Sequence, residues 1–326
     1  MMKKRIKQAG VFIFALALVL GTFTLAKVQA ALAVDTARKC SVQVNVPEVP
    51  FAELGDLEVT VDLYKVADMD ESGAFIAAPG FEALSAIEEV DSETTAAEWE
   101  GFAVLAKETV EAGLVAETAT GTTANGSVTF DGLDVGLYLV DAQTVLSPTS
   151  EYTFNPVIVA VPNNYFYTTG NEEWVYDLTG ENAVVLKPEQ ADRFGNLEIE
   201  KTLDAFNDSV GGATFVFQVE AVKNGELVYS DVVSMTFDSA GQKNLVIEGI
   251  PAGAVVTVTE VYSGASYTLT SDGSQTVTIL ADEVVGTEFT NTYDEGLNSG
   301  DGLVNHFSYD AETGEWTHSA TKDSTK

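Results

Sequence analysis

Three polar side chains stand where strand alternation calls for apolar ones. In Leu197-Glu198-Ile199-Glu200-Lys201-Thr202-Leu203 the apolar phase is 197, 199 and 203, and Lys201 shares it. In Ala254–Tyr262 one phase holds Ala254, Val256, Val258 and Tyr262, with Glu260 among them. The opposite phase there is mixed, since Val255 and Val261 accompany Thr257 and Thr259. In Phe289-Thr290-Asn291-Thr292-Tyr293 the apolar phase contains Asn291. A lysine, a glutamate and an asparagine are thus expected to face one core, where an unpaired charge is expensive, so the three should meet. Two readings fit. One is a buried ion pair with an amide neighbour, or a bulge that turns one of the three outward. The other is an intramolecular amide bond. Burial lowers a lysine pKa and raises a glutamate pKa. A neutral Lys201 amine is a nucleophile. A protonated Glu260 can polarise the Asn291 carbonyl and carry protons as ammonia leaves.

The elements that must position these residues are strands. Alternating segments are expected at 41–46, 57–67, 127–130, 137–140, 156–161, 197–203, 214–222, 227–236, 244–250, 255–262, 276–280 and 287–293. Turn pairs punctuate them: Asn125-Gly126, Asp131-Gly132, Asn224-Gly225 and Asp272-Gly273. The pattern predicts a mainly β protein of two antiparallel Ig-like sandwiches in tandem. One interruption is helical and spans about 81–114. Thr95-Ala96-Ala97-Glu98 reads as a capping box. Trp99, Phe102, Ala103, Ala106 and Val110 follow at helical spacing, with Gly113 as the stop and 81–90 as a shorter helix before it. The expected division is 1–33 as an export signal, 34–188 as the first sandwich with its helical insertion, 195–294 as the second, and 295–326 as a polar tail. That tail carries a hairpin of 304–309 and 315–319.

Leu-Glu-Ile-Glu-Lys-Thr, Val-Thr-Val-Thr-Glu-Val-Tyr and Phe-Thr-Asn-Thr-Tyr resemble the lysine, glutamate and asparagine motifs of Cna B-type domains. Such SpaA-like domains occur in sortase-assembled pilins and surface adhesins of Gram-positive bacteria. The order, and offsets of 59 and 90 residues after the lysine, fit that family over 195–294. The resemblance implies a Lys201–Asn291 isopeptide bond with Glu260 as its catalyst. It also implies a pilin-like structural subunit whose partners are other surface or pilus subunits. The alternative is an adhesin whose first domain recognises a host protein or glycan.

A looser resemblance covers the first domain through Leu63–Asp68, Gly136–Val140 and Trp174–Leu178. Asp141 falls where the catalytic acid would stand, in phase with Leu137 and Leu139. Lys65 shares the phase of Val59, Val61 and Leu63, and Asn155 is the corresponding amide candidate. The reading preferred for Lys65 is a strand-end lysine snorkelling to solvent. Lys187, in Val184-Val-Leu-Lys-Pro188, sits where pilin backbones carry their sortase-acceptor lysine, although Thr179–Ala183 intervenes in the family's tighter motif. An ordinary linker lysine reads the same way. The last residues show no Leu-Pro-x-Thr-Gly-like motif, hydrophobic tail or terminal basic cluster, so this chain is not expected to act as a sortase acyl donor.

Composition narrows the partners. Fifty acidic side chains oppose sixteen basic ones in 326 residues, a net charge of −34. Five of those basic residues lie in the first 27. Such a surface repels nucleic acid and anionic membranes. With 45% hydrophobic residues the chain still folds rather than staying disordered. Met1–Lys7 is a basic segment and Ala9–Ala26 an apolar one. Small-residue sites at Val28-Gln29-Ala30 and Ala31-Leu32-Ala33 complete an export signal, so the mature protein is expected at the cell surface or outside the cell. Cys40 is the only cysteine and makes no internal disulfide. Asp68–Gly73 begins like a calcium loop, but its twelfth position is Pro79. With one cysteine and two histidines, His306 and His318, no zinc site is expected. No cofactor and no external enzymatic activity are expected, since no nucleophile elbow, phosphate loop or metalloprotease helix is present.

Overall fold

The computed structural model describes residues 33–324 apart from 48, 92, 114, 165–172, 210, 265, 295–300 and 311–312. The export signal read from residues 1–33 lies, but for Ala33, outside the described residues. The chain forms two compact units. The first takes the residues up to Ser147 with Glu151–Ala191, and the second takes Pro148–Ser150 with the residues from Asp192 on.

In chain order the first unit contains β1 (Cys40–Asn45), β2 (Thr60–Met69), β3 (Phe75–Ala77), α1 (Ala96–Glu111), β4 (Ala119–Thr122), β5 (Ser127–Leu133) and β6 (Gly136–Ala142). Then come β7 (Val145–Leu146), β8 (Ser150–Asn155), β9 (Val157–Val161), β10 (Asn163–Asn164), β11 (Trp174–Val175), β12 (Asp177–Leu178), β13 (Val184–Val185) and β14 (Lys187–Asp192). One sheet runs β3-β2-β6-β9, with β4 also on β2. In another, β1 pairs antiparallel with β5 and parallel with β12 and β13. Val42, Val44, Val61, Leu63, Tyr138 and Val140 belong to one core. The other face of β2 and β6 presents Tyr64, Val66, Leu137 and Leu139 to Phe81, Leu84, Ile87 and Ala106. Both faces of β6 are therefore covered, which is why Leu137–Val140 reads as an unbroken apolar run.

The helical insertion covers this second face. Thr95 and Glu98 make the reciprocal capping box, and Gly113 follows the helix at φ +71°. The segment Glu82–Glu89 is a 3-10 helix broken at Leu84 rather than an α-helix. It buries Leu84 and Ile87, three residues apart, as a three-residue period requires. Two other expectations shift. The strand expected from Leu57 starts at Thr60, after the 3-10 turn Ala52–Asp56. Asp131-Gly132 does not join two strands: it forms a bulge inside β5, where one extra residue faces β1.

The second unit is a sandwich of eight strands: β15 (Phe194–Leu203), β16 (Ala213–Lys223), β17 (Glu226–Phe237), β18 (Gly241–Pro251), β19 (Val255–Tyr262), β20 (Tyr267–Leu269), β21 (Ser274–Thr278) and β22 (Val284–Tyr293). One sheet orders β18-β15-β22-β20 and the other β17-β16-β19-β21. The first and last strands, β15 and β22, lie side by side and parallel. Asn224 and Gly225 both have positive φ, the condition for the tight hairpin joining β16 to β17. Burial alternates strictly along β15 and along most of β16. The two inner faces close on Leu197, Ile199, Phe215, Phe217, Val256, Val258 and Phe289. The tail hairpin is longer than expected, with β23 (Asp301–Tyr309) paired to β24 (Trp316–Ser324).

Candidate cross-linking site

Three strands bring the polar residues of the apolar phase to one place. On β15 Lys201 stands opposite Phe289, and Leu203 opposite Asn291. Lys201 and Asn291 are therefore on one face of one sheet, a single two-residue step apart. Glu260 comes from the facing sheet, where β19 pairs it with Phe217 of β16. Lys201 and Asn291 are wholly buried, as is the Glu260 side chain.

The contacts join all three. Lys201 Nζ donates to Asn291 Oδ1 in a close contact. Asn291 Nδ2 donates to Glu260 Oε1 at 2.7 Å and lies 3.5 Å from the main-chain oxygen of Ser263. Glu260 Oε2 is 3.0 Å from Lys201 Nζ, a charge contact without the alignment of a hydrogen bond. The one carboxyl group thus touches both nitrogens. Around them the site is aromatic. The Phe215 ring centre is 4.6 Å from Lys201 Nζ, and Phe217 packs on Phe289 with ring centres 5.1 Å apart.

Burial pushes the Lys201 ammonium below its ordinary value of 10.5. Glu260 favours the charged form and opposes the shift without cancelling it. Such a lysine yields its proton more readily than a solvated one. The arrangement supplies a nucleophile, a carboxamide carbon held next to it, and a carboxyl group touching both the nucleophile and the leaving nitrogen. Sequence reasoning does not single out Phe215 or the Ser263 carbonyl. Phe215 reads as an ordinary core aromatic, and a main-chain carbonyl leaves no residue-type signal.

In the first unit the corresponding residues are kept apart. Asp62 stands opposite Asp141, and Lys65 opposite Tyr138. Tyr138 faces the core shared with Val61 and Leu63, whereas Leu137 and Leu139, in phase with Asp141, face the helices. Lys65 and Asp141 therefore belong to opposite faces of the sheet. Lys65 Nζ pairs with Asp68 at 2.5 Å, near a bulge of β2, and Asp141 pairs with Lys107 of α1 at 2.8 Å. Asn155 is exposed and donates to Glu189 at 3.0 Å. Lys187, at the start of β14, is 37% exposed and lies 3.6 Å from Glu100. Asp70 Oδ1 accepts from the main-chain N–H groups of Ser72 and Ala74, which holds the turn between β2 and β3. Among the described residues no group of three His, Cys, Asp or Glu side chains could hold a metal ion. No described helix is long and apolar enough to cross a membrane.

No curated protein matches the chain. Solved structures that it resembles include GBS52, the minor pilin of Streptococcus agalactiae, at 14% identity and TM-score 0.24, covering 79% of this chain and 97% of that one. The Bacillus anthracis TIE protein matches at 13% identity and TM-score 0.31, over 87% of this chain and 43% of that one, so this chain spans under half of its length. A Mobiluncus mulieris adhesin containing intramolecular disulfide, isopeptide and ester bond cross-links matches at 16% identity and TM-score 0.26, over 73% of this chain and 84% of that one. Residues 197–294, the sandwich that holds Lys201, Glu260 and Asn291, match the family model described as a domain of unknown function (DUF5979).

Proposed function

We propose that this is an exported surface protein, a pilin-like structural subunit whose second sandwich ties itself shut with a Lys201–Asn291 amide bond. The observation that carries the reading is the mutual contact of three wholly buried side chains, Lys201, Glu260 and Asn291. Glu260 takes a proton from the Lys201 ammonium, and the neutral amine adds to Asn291 Cγ. The Cγ–Nδ2 bond then breaks. Glu260 passes its proton to the departing nitrogen and takes up the second proton shed by Nζ. Ammonium, carboxylate and carboxamide thus become a secondary amide, a neutral carboxyl and ammonia. Charge balances, and the interior loses a buried ion pair.

The bond suits a load-bearing subunit because of where it lies. Tension applied at residues 194 and 293 would otherwise shear β15 against β22, which run parallel. With Lys201 joined to Asn291, the force passes along β15 to residue 201 and out from residue 291. Residues 202–290 are taken out of its path. Closing a ring of this size is worth ~4 kcal/mol through the unfolded state, by analogy with a disulfide. The acidic surface and the basic-then-apolar start of the chain fit export, and its partners in this reading are other surface subunits.

Intact mass tests the reading. The wild-type protein should be lighter than its sequence by one ammonia, while Lys201→Met, Glu260→Gln and Asn291→Ala should each show the full sequence mass. A full-mass wild type would overturn the proposal. A deficit that survives all three substitutions would place the bond elsewhere.

A further inference from the structure

A carboxamide has two ends of almost equal size, and only one orientation serves the reaction. The nitrogen must face the group that protonates it as it leaves, and the oxygen must face away from that group. In the structure Asn291 Nδ2 lies between Glu260 Oε1, at 2.7 Å, and the Ser263 carbonyl oxygen, at 3.5 Å, while Oδ1 faces Lys201. While Lys201 is an ammonium and Glu260 a carboxylate, the pair itself enforces this. A half-turn would set Oδ1 against a carboxylate and the NH2 group against an ammonium. Once the proton has moved, that discrimination is gone. A neutral amine can accept from Nδ2, and a protonated carboxyl can donate to Oδ1. The pair stops selecting the orientation at the stage when the reaction needs it.

The Ser263 carbonyl keeps selecting it. A main-chain oxygen only accepts, in every protonation state of its neighbours. Resting on the cross-linking reading, we propose that the Ser263–Gly264 peptide is the positioning element of this site, holding the Asn291 carboxamide with its leaving nitrogen toward Glu260. The plane of that peptide is set by ψ of Ser263 and φ of Gly264. Gly264 has φ +80°, a region side-chain-bearing residues rarely adopt. A residue that relaxes to negative φ turns the Ser263 carbonyl away from Asn291. A Cβ at position 264 would also lie 3.0 Å from Tyr267 Cδ2. Alanine and asparagine add the same Cβ, but asparagine tolerates positive φ far better. Comparing the two separates carbonyl orientation from crowding.

The full-length chain is collected as inclusion bodies, dissolved in urea and refolded by dilution. Loss of ammonia is followed by intact mass. Gly264→Ala should slow the loss by about tenfold or more, and Gly264→Asn by much less, since small misplacements of reacting groups are this costly. The same substitutions are then made together with Asn291→Asp, where loss of water is followed. A protonated carboxyl reaches the same geometry in either orientation, so Gly264→Ala should change that rate by less than about twofold. Equal slowing in both backgrounds, or no slowing with Asn291, would overturn the proposal. If the Asn291→Asp chain forms no bond, NMR of the unreactive Lys201→Met/Glu260→Gln chain decides, since a glutamine amide both donates and accepts and so selects neither end of Asn291. The Asn291 side-chain NH2 should give one set of signals, and Gly264→Ala should add a second. A single set in both would sink the inference. A wild-type chain that loses no ammonia would instead sink the cross-linking reading, and the NMR comparison would still judge the turn.

Discussion

A wholly buried lysine beneath the Phe215 ring has lost its water, and one carboxylate does not replace it. The consequence for stability has a definite sign. The folded lysine holds its proton less tightly than the unfolded one, so unfolding takes up protons between the depressed value and 10.5. Stability from this group therefore rises with pH across that window. Asn291→Ala keeps Lys201 and Glu260 unreacted and should show this rise in denaturant midpoints. Wild type, with its lysine converted to an amide that does not titrate, should not show it. Identical pH slopes would mean that Lys201 is in the same state in both proteins. Cys40 gives a second residue-scale expectation. Burial, then the nearby Asp177 carboxylate, pushes its thiol up to about 11, and the residue is 2% exposed. At about pH 8 a thiol reagent should leave it unmodified until the first unit is unfolded. Rapid labelling of the native protein would contradict its place in the core.

Strand positions depend on small residues as much as on apolar ones. Gly195 is the second residue of β15, and a Cβ there would overlap the Leu280 carbonyl oxygen and stand 2.9 Å from Ile279 Cγ2. The first of these is main chain and cannot step aside. Gly195→Ala should therefore destabilise the second unit by about 2 kcal/mol or more, visible as a lower urea midpoint of the unbonded Asn291→Ala protein. An unchanged midpoint would show that β15 can start elsewhere. In the first unit the capping box of α1 is the cleaner target. Thr95→Ala removes an acceptor for the Glu98 N–H and should lower stability by ~1 kcal/mol, read from thermal unfolding.

For the whole molecule the distinguishing test is mechanical. When the second unit is pulled from its two ends, a joined Lys201 and Asn291 should allow no extension from residues 202–290. Lys201→Met should release them, adding roughly 300 Å at ~3.4 Å per residue. A wild-type trace with the long extension would remove the load-bearing argument whatever the mass spectrum shows. The charge of −34 belongs to the same scale. It opposes close approach of like-charged copies and makes any assembly sensitive to salt.

Alternation alone places Lys201, Glu260 and Asn291 inward, because a strand has only two faces and burial selects one. The same rule locates most strands, and the capping box locates α1. Local rules cannot say that β15 and β22 are neighbours or that β19 lies across from them. Strand order depends on which chain segments pair over ~90 residues, and residue types do not encode it. For the same reason phase within a strand cannot decide Lys65 and Asp141, each inward by its own pattern. β2 and β6 are covered on both sides, so inward means two different places. The Ser263 carbonyl is beyond reach of the sequence altogether, since every residue has one and the backbone angles at Ser263 and Gly264 aim it. Residue types in alternation thus specify which side chains must leave water. Which of those side chains meet is a property of sheet order and facing layers, and no single strand carries it.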